Sequence, residues 1–211
     1  MSLLDKICVF PRRTMVLFFI IETSGGMAGH KIAMVNQAIG DVLLKIKDLD
    51  ENADAQIKIA VLEFSSGARW LTPDGPVDVN DYNWNNLDAA GVVDFGAACR
   101  ALNEKLSTKA FMTAGSYPPV LFLISCRGPT DDWQKELDKL KKNNWYKAAA
   151  KAAIAIREDV EDITADFTGS KDLVILIKSD ESLRESIKFL ALKTLQVSLD
   201  NQNSLCSTDH A

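Results

Sequence analysis

A chain of 211 residues, 47% hydrophobic and 25% charged, is long enough for one α/β domain with a full core and does not require a second. Its net charge of -5 and pI near 5.1 argue against nucleic acid as a partner, because counterion release needs clustered Lys and Arg, and the basic clusters (Arg12-Arg13, and Lys139 with Lys141-Lys142) are short. Four cysteines (Cys8, Cys99, Cys126 and Cys206) lack CxxC spacing, which fits a reducing compartment and neither a zinc ribbon nor a dense disulfide framework.

The apolar run Met15–Ile21 follows two arginines, as a signal peptide's core would, but it has only seven residues and leads into Glu22 without a small-residue cleavage site. A strand covered on both faces explains it better. No segment reaches the apolar length of a membrane span, so the expectation is a cytoplasmic protein. After the turn Ser24–Gly29, the residues Ile32, Val35, Ile39, Val42, Ile46 and Leu49 recur at steps of three and four, which predicts a long amphipathic helix. Ile57–Phe64 reads as a second strand, and Ser65–Gly67 as a tight turn into a short strand over Ala68–Leu71. The polar stretch Thr72–Ala90 is predicted as a surface loop, and loops of that length are often functional. A helix follows with Phe95, Cys99, Leu102 and Leu106 facing inward.

Val120–Ser125 is the next strand. Thr130 is predicted to cap a helix that opens with Asp131-Asp132 and ends near Lys141–Asn144. Lys151–Ile156, Glu158–Phe167 and Leu173–Ile177 read as strand, short acidic helix and strand. Ser179 then caps a last helix with Leu183, Ile187, Leu190, Thr194 and Val197 on one face. From about Leu199 the residues are polar and aperiodic, so a single domain over residues 1–198 and a flexible tail over 199–211 are expected.

This alternation predicts an α/β fold of three layers: a Rossmann-like, mostly parallel central sheet between helices, with one short antiparallel edge strand from the Ser65–Gly67 hairpin. Ligands of such sheets bind at the carboxyl ends of the strands. Three loops should gather there: Glu22–His30, the segment around Gly91–Gly96, and Ser125–Asp132.

These loops resemble those of von Willebrand factor A domains, in the bacterial tellurium-resistance-associated (TerY-like) group. Glu22-Thr-Ser-Gly-Gly is similar to the family's Asp-x-Ser-x-Ser loop. Ser125-Cys-Arg-Gly-Pro-Thr-Asp-Asp-Trp133 is similar to Thr-Asp-Gly-x-Pro-Thr-Asp-Asp-Trp, and Val93-Asp-Phe-Gly-Ala-Ala98 lies where the family has Thr-x-x-Gly. Phe64–Pro73 also resembles the family's second-strand hairpin. The likeness runs from about Met15 to Val197.

In the family these loops build a metal-ion-dependent adhesion site (MIDAS), in which oxygen ligands hold Mg²⁺ or Mn²⁺. The resemblance implies a degenerate version here: Glu22 replaces Asp, Ser24 is retained, Gly26 replaces Ser, Val93 replaces Thr and Cys126 replaces Asp. Hard cations need oxygen donors, and a thiol is a poor substitute. The expectation is therefore no metal and no cofactor, and a partner-binding face at Glu22, Ser24, Gly26, Val93 and Cys126, with His30, Asp94, Asp131 and Trp84 as possible additions. The resemblance further implies a stress-response setting with a kinase or phosphatase as protein partner.

Bland alternatives stand beside the functional ones. Glu22 is as well explained as a strand-end carboxylate bonded to loop amides. Cys126 beside Arg127 has the setting of an activated thiol, but a Cys126 hydrolase has only His30 as a base, since His210 falls in the tail, so a quiet thiol and no enzyme are expected. A mixed zinc site from Glu22, His30, Asp94 and Cys126 is chemically conceivable without being demanded by spacing. The tryptophans read as half-buried anchors, apart from Trp84, whose polar loop also suits partner contact. The alternative function is a nucleotide- or metal-binding domain using Ser24–Gly29, although this loop lacks the first Gly of the dinucleotide fingerprint and any Walker lysine.

Overall fold

The computed structural model describes residues 12–51 and 53–208. Cys8, His210 and the last three residues of the expected tail lie outside them.

The long apolar run forms β1 (Arg13–Glu22) at the centre of the sheet, between β2 (Ala55–Ser65) and β5 (Val120–Ser125), both parallel to it. Strand side chains alternate between faces, so Met15, Leu17, Phe19 and Ile21 enter one core layer and Val16, Phe18 and Ile20 the other. All seven are at most 1% exposed, and burying each contributes about 1.5–3 kcal/mol. The sheet continues through β6 (Ala150–Ala155) to the edge strand β7 (Val174–Leu176), again in parallel. At the other edge β2 pairs antiparallel with β3 (Gly67–Trp70), as the hairpin predicts, and with the two-residue β4 (Val77–Asp78) from the long loop. The order β3-β2-β1-β5-β6-β7 reverses direction about β1, which opens a crevice above its carboxyl end.

The helix α1 (His30–Asp50) packs with the last helix α6 (Asp180–Thr208) on one face. On the other lie α2 (Phe95–Lys105) and α3 (Trp133–Leu140), with the Phe167 ring of α5 (Glu161–Thr168) edge-on to Phe95. The chain is thus a three-layer α/β/α molecule with a mostly parallel sheet. In α1 the predicted stripe is buried except at Leu49, which is half-buried.

Two helices differ from expectation. The polar cluster after α3 also starts a short helix, α4 (Asn144–Ala148), because the Asn143 side chain accepts hydrogen bonds from the amides of Trp145 and Tyr146. In α6 the buried stripe is Leu183, Ile187, Ala191, Leu195 and Leu199, so the predicted Val197 is 42% exposed and Leu190 and Thr194 flank the contact. The same helix continues to Thr208, past the point where an aperiodic tail was expected. Among the described residues no helix is long and apolar enough to cross a membrane.

Candidate functional site

The three predicted loops meet above the carboxyl ends of β1 and β5. Their centre is Glu22, the last residue of β1 and fully buried. Its Oε1 accepts a 2.6 Å hydrogen bond from the Ser24 hydroxyl. Its Oε2 accepts from the Ser125 hydroxyl at 2.7 Å, the Cys126 amide at 2.7 Å and the Arg127 amide at 3.2 Å. A buried charge is costly unless hydrogen-bonded, and these four donors meet that need from two separate loops. Glu22 therefore ties the end of β1 to the loop after β5.

Ser24 caps a 3-10 turn over Gly25–Met27 by accepting from the Gly26 amide at 3.2 Å. The other amides of the turn are also occupied: Gly25 donates to the Gly91 carbonyl at 3.0 Å and Met27 to the Ser24 carbonyl at 2.9 Å. Gly26 is required by close approach, since a Cβ there would lie 2.4 Å from Arg127 Nε and 2.5 Å from its Cδ. The side chain of Arg127 thus occupies the space that a larger residue at position 26 would need.

Cys126 is buried, and its thiol donates to the Gly26 carbonyl at 3.5 Å. Burial, and after it the Glu22 charge, push this thiol above its ordinary range. It has the surroundings of a quiet thiol. Cys99 is buried against the opposite layer, where burial raises its thiol further.

Val93 is buried in the core layer beneath α2, and its carbonyl accepts from the Thr130 amide at 2.7 Å and hydroxyl at 3.0 Å. Asp94 does not turn toward Glu22. Its Oδ2 accepts from the Gly67 amide at 2.8 Å and its Oδ1 from Thr130 at 3.2 Å, which binds the β2–β3 hairpin to the third loop. His30 is exposed at the start of α1, and its imidazole acts on Glu181, helping to lower that carboxyl after a backbone hydrogen bond and Ser179. The proposed zinc quartet is therefore not assembled. Among the described residues no group of three or more His, Cys, Asp or Glu side chains is placed to hold a metal.

Two expectations for this face are corrected. Thr130 does not cap α3, because its hydroxyl is drawn to Val93 and Asp94. Asp131 serves a different helix from the expected one: its carboxylate accepts from the amides of Gly96 and Ala97, each at 3.0 Å, at the start of α2. Trp84 is half-buried, packs against the α1 core layer, and its Nε1 is buried without a partner among the described residues. It is half-buried like the other three tryptophans.

Above Glu22 the loops leave an open cleft of about 580 Å³, lined by Gly26, Val93, Arg127, Thr130, Arg157 and Asp159 among others. Ser125, Arg127 and Arg157 are site residues that motif reading missed. Their positions still carried a signal: Ser125 ends β5, and Arg157 lies two residues after β6, at the sheet edge where ligands bind.

In the family resembled these loops hold a hard divalent cation, and the residues here do not fit one. Positions 26, 93 and 126 offer no side-chain oxygen, both Glu22 oxygens are satisfied by protein donors, and a guanidinium stem crosses Gly26.

No family model and no curated protein matches the sequence. Solved structures match its fold. A von Willebrand factor type A protein from Catenulispora acidiphila superposes with a TM-score of 0.62 and 16% identity, covering 86% of this chain and 43% of that one. The pilus adhesin SpaC from Lactobacillus rhamnosus GG gives 0.68 and 11%, covering 88% of this chain and 31% of that one. Proximal thread matrix protein 1 from the mussel byssus, with a zinc-occupied MIDAS motif, gives 0.57 and 13%, covering 87% and 46%. The chain thus spans less than half the length of each. With the sheet order and helix layers described above, these likenesses give the chain the von Willebrand factor A fold.

Proposed function

We propose that this chain is a protein-recognition module whose face at the carboxyl end of the sheet works without a divalent cation. The observation that carries this reading is the Glu22 carboxylate, whose two oxygens are taken up by Ser24, Ser125, Cys126 and Arg127. In the resemblance a shorter carboxylate ligates metal. Here the extra methylene lets the carboxylate reach across to the β5 loop and bond to it.

The test is thermal melting of chelator-treated protein titrated with Mg²⁺, Mn²⁺ and Zn²⁺, because a ligand of the native state must raise the midpoint. No shift is expected with any of them. A saturable rise with Mg²⁺ or Mn²⁺ would overturn the metal-free reading.

The Cys126 thiol, raised by burial, and the exposed His30, whose imidazole acts on Glu181, support a non-enzymatic role. The run Pro129–Trp133 supports placing the module in a bacterial tellurium-resistance-like stress response, in the cytoplasm, with a kinase or phosphatase as protein partner. Co-purification from the native cell tests that setting. A nucleotide reading of Ser24–Gly29 has less support, because the amides of Gly25, Gly26 and Met27 in this loop already donate within the protein and the loop lacks the glycine pattern of a dinucleotide site.

A further inference from the structure

Beyond the ion pair of Arg184 with Asp41, an open groove of about 460 Å³ lies between α1 and α6. Its apolar lining is Leu49 and Leu192, both half-buried against the core layer beneath, and Phe189. Phe189 is 62% exposed and is the one aromatic ring among the exposed large hydrophobic side chains of the described residues. Lys45, Asp48 and Lys193 form a charged rim. The last residue of α1, Asp50, follows directly on Leu49 and holds the start of the described chain. The Arg12 guanidinium donates to the Asp50 carbonyl at 2.7 Å, to its carboxylate at 2.9 Å and to the Ala53 carbonyl at 3.1 Å. The chain that precedes β1 is thus tied beside the groove.

We propose that residues 1–10 of this chain occupy the groove between α1 and α6, with apolar side chains against Leu49, Phe189 and Leu192. Length, composition and charge all favour this occupant. Ten residues reach at most about 33–36 Å when extended, whereas Phe189 to Gln196 spans only about 10 Å of α6. The segment is rich in apolar side chains, with Leu3, Leu4, Ile7, Val9 and Phe10. Covering the Phe189 ring with them removes apolar surface of both from water. Asp5 and Lys6 supply opposite charges for the lysines and the aspartate of the rim. A second copy of the chain suits the groove less well. It would need to bury about 800 Å² on each partner around so small an opening. Two chains of net charge -5 also repel, whereas a tethered segment is present at high effective concentration.

The test combines NMR and urea unfolding of the full chain. Nuclear Overhauser contacts are expected between the Phe189 ring and methyl groups of Leu3, Leu4 or Ile7, unchanged on dilution. Contacts seen only between differently labelled copies would overturn the proposal in favour of a second copy. No contact of Phe189 with residues 1–10 would overturn it outright. In urea, Phe189→Ala should lower the midpoint, and so should the triple change Leu3→Ser, Leu4→Ser and Ile7→Ser. Made together, they should lower it no further than the larger of the two alone, because either one empties the same contact. Val92→Ala serves as the control, since Val92 is exposed in the cleft at the other end of the sheet. Its effect should add in full to that of the triple change. Additive losses for Phe189→Ala and the triple change, or no loss from the triple change, would overturn the proposal.

Discussion

At the residue scale the site depends on coupled substitutions. Glu22 is long enough to reach the amide of Cys126, and Gly26 is small enough for Arg127 to pass, so these two positions each meet the loop after β5. Glu22→Gln would point an amide donor at hydroxyl and amide donors within the core. Loss of about 1–3 kcal/mol is expected, measured as a lower urea midpoint. Asp131→Ala removes the acceptor for two amides at the start of α2 and should cost about 1 kcal/mol by the same measurement, with Asp131→Asn costing less. Motif reading found Glu22, Ser24, Gly26, Val93 and Cys126 as positions but not what they do. That information lies in distances between loops over 100 residues apart, such as Ser125 to Glu22, which no local pattern encodes. Asp131 illustrates the same limit: it sits where a helix start is legible, yet bonds to the start of another helix.

At the scale of elements, the pairing of α1 with α6 joins one of the longest helices in the fold to the sheet. The Arg184 guanidinium donates to Asp41 across that contact from Nε at 3.0 Å, with Lys188 nearby, and this bond holds the Asp41 carboxyl below its ordinary 3.8. A depressed folded-state value means that the stabilisation is complete above the unfolded value and is lost as pH falls through the folded one. The stability gap between the native chain and Asp41→Asn should therefore be constant at neutral pH and close in acid. Urea unfolding across that range checks it. The α6 stripe was misread in its second half because alternating steps of four and three, which hold to one straight face, were carried on to Leu190, Thr194 and Val197, whereas the buried residues Leu183, Ile187, Ala191, Leu195 and Leu199 advance by four each time, a row that winds about 40° per step around the helix. Ala191 is small enough to be overlooked as an anchor, although it is fully buried. The end of α6 was missed for a related reason: its last turns contain too little apolar residue to show a period, yet the chain remains helical to Thr208.

For the molecule as a whole, strand order and layers were legible because burial on both faces leaves an unmistakable mark. Met15–Ile21 and Val120–Ile124 are apolar at every position, as parallel strands covered on both faces require. The antiparallel edge was legible from Ser65–Gly67, where a turn follows directly on a strand. The β4 pairing was hidden because Val77-Asp78 is two residues in a polar loop, held by the Gln56 amide on Asp78 and by the Val79 amide on Ile57.

The Glu22 bonds also set the thermodynamic character of any association at this face. By joining two loops inside the folded chain, they place the entropy of ordering those loops within the folding reaction, before a partner arrives. An incoming group then has little of these loops left to immobilise. The loops keep their shape when it leaves, so successive partners meet the same preorganised surface.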